Sequence, residues 1–198
     1  MFSNSQIVDR LLQVMEYDIV LLTMEGVKQG NKIFGAAILS KKDLSLVIAG
    51  TNNETVNPLY HGEVHTMEQL YRMPSEQRPD PKDCLFFATH EPCTLCLSAI
   101  TWGGYDNFYY LFSHEDSRDN FNIGHDLKIL KEVFKHDPGG YARQNSYWNS
   151  YRIADLIDTC TEDEQAAFKK RIEELAKTYR DMSDIYQANK DKSDIPLK

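Results

Sequence analysis

YHGEV, residues 60–64, and HEPCTLC, residues 90–96, are the two stretches from which the rest of the chain is read. The first sets His61 and Glu63 two positions apart. The second sets Cys93 and Cys96 three apart behind Pro92. Each motif opens a segment with apolar residues at helical spacing. HGEVHTMEQLYRM carries Val64, Met67, Leu70 and Tyr71 on one side of a helix. CTLCLSAITW reads as a second helix, ending at Gly103-Gly104. CLFFATH, just before the cysteine motif, reads as a buried strand.

Working outward, IFGAAILS and LSLVIAGT are short, partly β-branched runs joined by KKD, which predicts a strand hairpin. Ahead of them, Ile7, Leu11, Leu12, Met15, Ile19, Leu22, Met24 and Val27 predict one long or two short helices, stopped at Gly30-Asn31. Beyond the cysteine motif, NFYYLF is another strand, FSHEDSRDNFNIGHD a loop, and GHDLKILKEVF a helix broken by DPGG. No fifth strand is read after that helix. TEDEQAAFKKRIEELAKTYRDMSDIYQ reads as one helix, with Thr161 as N-cap and Glu164 completing a capping box. The last residues, ANKDKSDIPLK, are expected to fray.

Strands alternating with helices imply an α/β fold with helices on both faces of the sheet. The hairpin makes that sheet mixed. The predicted architecture is a three-layer α/β/α sandwich with a helical C-terminal extension. Residues 1–140 are read as a core with an N-terminal helical segment. Residues 141–198 are read as an aromatic segment and a helix packed on the core or on a dimer partner.

The chain has 198 residues, 41% hydrophobic and 26% charged, within the range of one globular domain. No apolar run is long enough to span a membrane. MFSNSQIVDRLLQVMEYD carries charges within its apolar part and does not read as a signal peptide. Cys84, Cys93, Cys96 and Cys160 are therefore read as reduced thiols or metal ligands, with a cytoplasmic location as the default. The formal net charge of −8 argues against a polynucleotide partner. FKKRIEELAK alternates with acids and reads as a solvated helix face.

Imidazole nitrogen and thiolate sulfur are the donors a tetrahedral zinc takes. Cys93 and Cys96 share a helix face at spacing three, where the helix dipole favours thiolate. Three protein ligands leave one position for a water, whose pKa zinc lowers toward about 7. Glu63 lies close enough to His61 to reach that water without ligating the metal. The combined pattern is the H-x-E … P-C-x-x-C signature of zinc deaminases.

GTNN (50–53), HGE (61–63) and EPCTLC (91–96) together resemble the cytidine deaminase superfamily of zinc-dependent aminohydrolases. The nearer likeness is to the branch holding cytosine, guanine and tRNA-adenosine deaminases, over about residues 17–135. The resemblance implies a helix–sheet–helix sandwich, Zn²⁺ on His61, Cys93 and Cys96, a proton-shuttling Glu63, and a homodimer. It places Asn52 against the substrate base. Asp126 bears a faint likeness to an acid near the substrate of guanine deaminases, beside the plainer reading that it caps the following helix. Phe112, His114 and Phe121 are candidates for stacking on a base, or ordinary core and loop residues.

The expected activity is hydrolytic release of ammonia from a cytosine-like or guanine-like small molecule. The alternatives are a tRNA or polynucleotide adenosine deaminase, and a zinc-stabilised binding module without catalysis. His65, four residues after His61, is read as packed or hydrogen-bonded, Cys84 as core and Cys160 as a buried thiol. Tyr147, Trp148 and Tyr151 are read as a packing cluster.

Overall fold

The structure, a computed structural model, describes residues 2–137 and 139–198. The expected break at DPGG includes Pro138, which lies outside the described residues. Helix α1 (Asn4–Val14) runs through a π-helical turn (Met15–Ile19) into α2 (Val20–Lys28). Strands β1 (Gly35–Ser40) and β2 (Leu46–Thr51) form the expected hairpin. Then follow α3 (Gly62–Arg72), β3 (Cys84–His90), α4 (Thr94–Trp102) and β4 (Asn107–Phe112). The remainder is α5 (His114–Phe121), α6 (His125–Glu132), β5 (Asn149–Arg152), α7 (Ile153–Ile157) and α8 (Glu162–Asn189).

The sheet order is β2-β1-β3-β4-β5. β1 pairs antiparallel with β2 and β3, while β3–β4 and β4–β5 are parallel. Strand alternation sorts the core into two layers. Ala37, Leu39, Leu85, Phe87 and Leu111 face α1, α2 and α8. Ala36, Ile38, Phe86, Phe108 and Tyr110 face α3 and α4. This is the expected three-layer sandwich around a mixed sheet.

Helix α8 buries Phe168, Leu175, Tyr179, Met182 and Tyr186, an apolar stripe at helical spacing. Each such burial contributes about 1.5–3 kcal/mol. The capping box at Thr161 and Glu164 forms as expected. Arg171, within the segment read as a solvated face, instead pairs with Asp9 at 2.7 Å and Glu16 at 2.8 Å, tying α8 to the N-terminal helix.

Four further expectations are corrected. A fifth strand exists: β5 extends the sheet beside β4. Its residues, Asn149 to Arg152, are mostly polar and half-exposed, so an edge strand carries no apolar alternation. The segment read as a loop after β4 contains α5, opened by a Ser113–Asp116 capping box and burying only His114, Ser117 and Phe121. Tyr71 lies exposed, while Met67 and Leu70 do face the core. The terminal residues do not fray: Ile195 is 2% exposed and packs inward.

Of the aromatic cluster, Trp148 is buried and donates from Nε1 to Thr101 at 2.8 Å. Tyr151 stacks on Tyr109, and Tyr147 is exposed. Cys84 is core, whereas Cys160 is only half-buried. His65 is hydrogen-bonded, its Nδ1 2.8 Å from the Thr51 carbonyl.

Candidate metal centre and active site

Two helix N-termini meet at the two motifs. His61 is the N-cap residue of α3 and Cys93 that of α4, both with extended backbone. Cys96 follows within the first turn of α4. The approach of α3 to the sheet depends on Gly62: a Cβ there would lie 2.9 Å from Gly35 Cα and from the Phe34 carbonyl oxygen. Glycine between His61 and Glu63 thus lets the helix start abut β1. The cysteine loop is held from below by Glu91. Its carboxylate accepts from the His114 backbone N–H at 3.0 Å and from the Tyr141 hydroxyl at 2.8 Å.

His61 Nδ1 lies 3.4 Å from Cys93 Sγ and 3.8 Å from Cys96 Sγ, and the two sulfurs are 3.6 Å apart. A tetrahedral zinc with bonds of about 2.3 Å to sulfur and about 2.05 Å to nitrogen sets edges of about 3.8 Å (S–S) and about 3.6 Å (N–S). The three donors thus already stand at the separations such an ion requires. They form the one His/Cys/carboxylate group among the described residues whose geometry could hold a metal. The Glu63 carboxylate is beside them and 6% exposed, accepting from Cys96 Sγ at 3.2 Å.

The electrostatics follow from burial and crowding. Burial, then the neighbouring Cys93 charge, lifts Glu63 to about 7. Burial works against charge on His61, but the Cys93 sulfur, Glu54 and Glu63 outweigh it and raise its pKa to about 9. The Cys96 contact, together with His61, holds Cys93 well below the usual thiol range, whereas burial pushes Cys96 up. A divalent ion bound by these groups would take the neutral imidazole and both thiolates, displacing their protons.

These groups face a cavity of about 250 Å³. Lys32, Phe34, Glu54, His90, Glu91, Ile123 and Asp126 contribute to its wall, and Ile195, Pro196 and Leu197 close one side. Asp126 is thus brought to the metal-holding group, and burial and the Cys93 charge raise its pKa to about 6. It also lies in the first turn of α6.

The other sequence candidates lie elsewhere. Asn52 is buried outside the cavity wall and donates from Nδ2 to Glu54 at 2.6 Å. Phe112 packs in the core, its ring centroid 5.0 Å from those of His90 and Phe121. His114 is buried, with Nε2 3.2 Å from the Pro92 carbonyl, bracing the cysteine loop. Lys32, Glu54, His90 and the 195–197 segment carried no periodic signal. Only the position of His90 directly before Glu91-Pro92-Cys93, and the apolar triplet at 195–197, hinted at a role.

The model of the cytidine and deoxycytidylate deaminase zinc-binding region matches residues 11–112. The chain belongs to this deaminase family. Guanine deaminase of Bacillus subtilis (strain 168) is 33% identical to this deaminase over 120 residues, 59% of this chain and 72% of that one. Cytosine deaminase of Candida albicans is 30% identical over 80 residues, 39% of this chain and 50% of that protein. The X-ray structure of the Bacillus subtilis guanine deaminase superposes with a TM-score of 0.50 at 27% identity, covering 68% of this chain and 80% of that one. The deaminase is thus a hydrolytic enzyme carrying the family's zinc-binding His/Cys/Cys group. Among the described residues, no helix is long and apolar enough to cross a membrane.

Proposed function

We propose that this protein is a zinc-dependent hydrolytic deaminase of a small amino-substituted heterocycle, a guanine-like base first and a cytosine-like base second. The observation that carries this reading is the tetrahedral spacing of His61, Cys93 and Cys96 with Glu63 beside them at a cavity. The longer match to a guanine deaminase than to a cytosine deaminase supports the order of substrates.

In this reading His61, Cys93 and Cys96 hold zinc. When bound, zinc acidifies water and favours its attack on the ring carbon that bears the amine. Glu63 takes a proton from the attacking water and passes it to the adjacent ring nitrogen. It then carries the second proton to the departing amine. One C–O bond forms, one C–N bond breaks, water is consumed and ammonia leaves. Burial, which raises the Glu63 pKa toward neutrality, suits its carboxylate to both taking and giving a proton. In the same proposal Asp126 accepts from a substrate N–H, a role supported by its position in the cavity wall with the apolar Phe34 and Ile123.

A small-molecule substrate accords with the net charge of −8 and with the acids lining the cavity. A homodimer belongs to the same proposal. Trp102, 91% exposed, and Tyr71 leave apolar area on the α3–α4 layer. A reducing, cytoplasmic setting would keep Cys93 and Cys96 as thiols.

The test is metal analysis together with ammonia release from a panel of free bases, nucleosides, nucleotides and pterins. The expected result is one zinc per chain and turnover of guanine, with little effect of salt. Zinc-loaded protein that releases ammonia from none of the panel would refute the small-molecule reading.

A further inference from the structure

Glu54 lies seven residues before His61, outside both motifs. Its side chain is 3% exposed and lines the cavity. Three groups converge on its carboxylate. Lys32 Nζ donates to Oε1 at 2.8 Å, and this ammonium is itself only 6% exposed. Asn52 Nδ2 donates to Oε2 at 2.6 Å. His61 Nε2 stands 3.7 Å from Oε1. The loop between Asn52 and His61 is tied back on itself by Asn53 N–H to the Tyr60 carbonyl and Tyr60 N–H to the Asn57 carbonyl, each at 2.8 Å. The Thr55 N–H also donates to Asn31 Oδ1 at 3.0 Å.

The two nitrogens of His61 face different partners. Nδ1 faces the sulfurs and Nε2 faces Glu54. A ring that gives its Nδ1 lone pair to a metal carries its proton on Nε2, and such a proton needs an acceptor. Glu54 is the carboxylate on that side. The geometry points to Glu54 as a positioning residue of the metal centre: its Oε1, 3.7 Å from His61 Nε2, is the carboxylate oxygen that would accept from Nε2–H after a shift of under about 1 Å, holding the ring's tautomer and angle, while Lys32 and Asn52 hold Glu54 in place. This rests on the reading that His61, Cys93 and Cys96 hold zinc.

The arrangement also explains a buried lysine. A carboxylate next to the imidazole alone would add uncompensated negative charge to a site already carrying Glu63 and thiolates. Lys32 balances it without reaching the sulfurs, and the polar tie from Asn52 leaves Oε1 facing both Lys32 and His61. The role is specific to one end of the ion pair, because only Glu54 touches His61.

That asymmetry is the test. Zinc affinity is measured on metal-depleted protein by competition with a chromophoric chelator, and the visible spectrum of the cobalt(II)-substituted protein is recorded alongside. Glu54→Gln is expected to weaken zinc binding by about 10–100-fold and to change the cobalt spectrum. Lys32→Met, which breaks the same ion pair from the other end, is expected to lower thermal stability but leave zinc binding within about threefold. If Glu54→Gln does not fold, the double variant Lys32→Met/Glu54→Leu removes both charges at similar volume and should show the same weakened zinc binding. Equal effects of Glu54→Gln and Lys32→Met on zinc would reduce the pair to a structural one and overturn the proposal. A folded Glu54 variant with unchanged zinc affinity and an unchanged cobalt spectrum would overturn it too. Neither readout depends on turnover, so failure to find a substrate leaves this test intact.

Discussion

Gly62 and Gly35 are in backbone contact: a Cβ on Gly62 would sit 2.9 Å from Gly35 Cα and 3.0 Å from its nitrogen. Neither neighbour is a flexible side chain, so the backbone itself must yield. Alanine favours a helix over glycine by about 1 kcal/mol. Overpacking against backbone costs about 1–3 kcal/mol, so the clash outweighs the propensity. Gly62→Ala is expected to lose about 1–2 kcal/mol in denaturant unfolding. Because Gly62 separates His61 from Glu63, turnover should fall more steeply, by up to about 100-fold for a 1 Å displacement. Stability and kcat/KM equal to the parent would show that the contact does not matter.

Glu63→Gln keeps the shape of the side chain and removes its proton chemistry. Zinc content should be unchanged, because the three donors do not include Glu63. Turnover should drop by about 100- to 10,000-fold. Metal analysis and steady-state assay of the same preparation check this, and undiminished turnover would remove Glu63 from its role.

His90 is 3% exposed among Phe34, Phe112, Phe121 and Tyr179. Burial lowers its pKa to about 3, against 6.5 in an open chain. Between these values the unfolded chain binds the extra proton, so stability rises with pH across that window and is lost as pH falls below about 6.5. The slope from this one group is about 1.4 kcal/mol per pH unit. Between pH 7 and pH 5 the parent should therefore lose about 2 kcal/mol more than His90→Leu. Urea unfolding of both proteins at the two pH values measures the difference, and parallel losses would contradict it.

Ile195 packs at the cavity wall after the long C-terminal helix, 2% exposed. Ile195→Ala deletes buried methylenes and should cost about 2–3 kcal/mol if the segment stays in place. It should also raise KM with little change in kcat, since the wall shapes binding rather than proton transfer. Unfolding and initial-rate measurements test both halves, and an unchanged KM would detach the segment from the site.

Removing zinc should lower the melting temperature, because an ion that binds only the folded chain stabilises it by about 4 kcal/mol at a thousandfold excess over Kd. Calorimetry of depleted and reloaded protein reads this directly. Identical melting curves would argue that His61, Cys93 and Cys96 hold no ion.

What the chain determined by itself is local. The two-residue step from His61 to Glu63 and the three-residue step from Cys93 to Cys96 each place an extended N-cap residue beside the first turn of its helix, and strand alternation sorts Ala36 and Ile38 from Ala37 and Leu39. Those periodicities made the sandwich and the metal-holding group legible. Capping chemistry did the same for α8, through Thr161 and Glu164. Signals failed where burial was partial: β5 has half-exposed polar residues, and α5 buries only three. What tertiary structure alone decided is which distant polar groups share a cavity. Nothing in the spacing of Lys32, Glu54, His90 or Ile195 announces the site. They meet there because β1, β3 and the returning C-terminal segment bring them together, and such non-local contacts leave no period in the sequence. The same packing withdrew Asn52, Phe112 and His114 from the cavity wall, since each found a closer partner in Glu54, His90 or the Pro92 carbonyl.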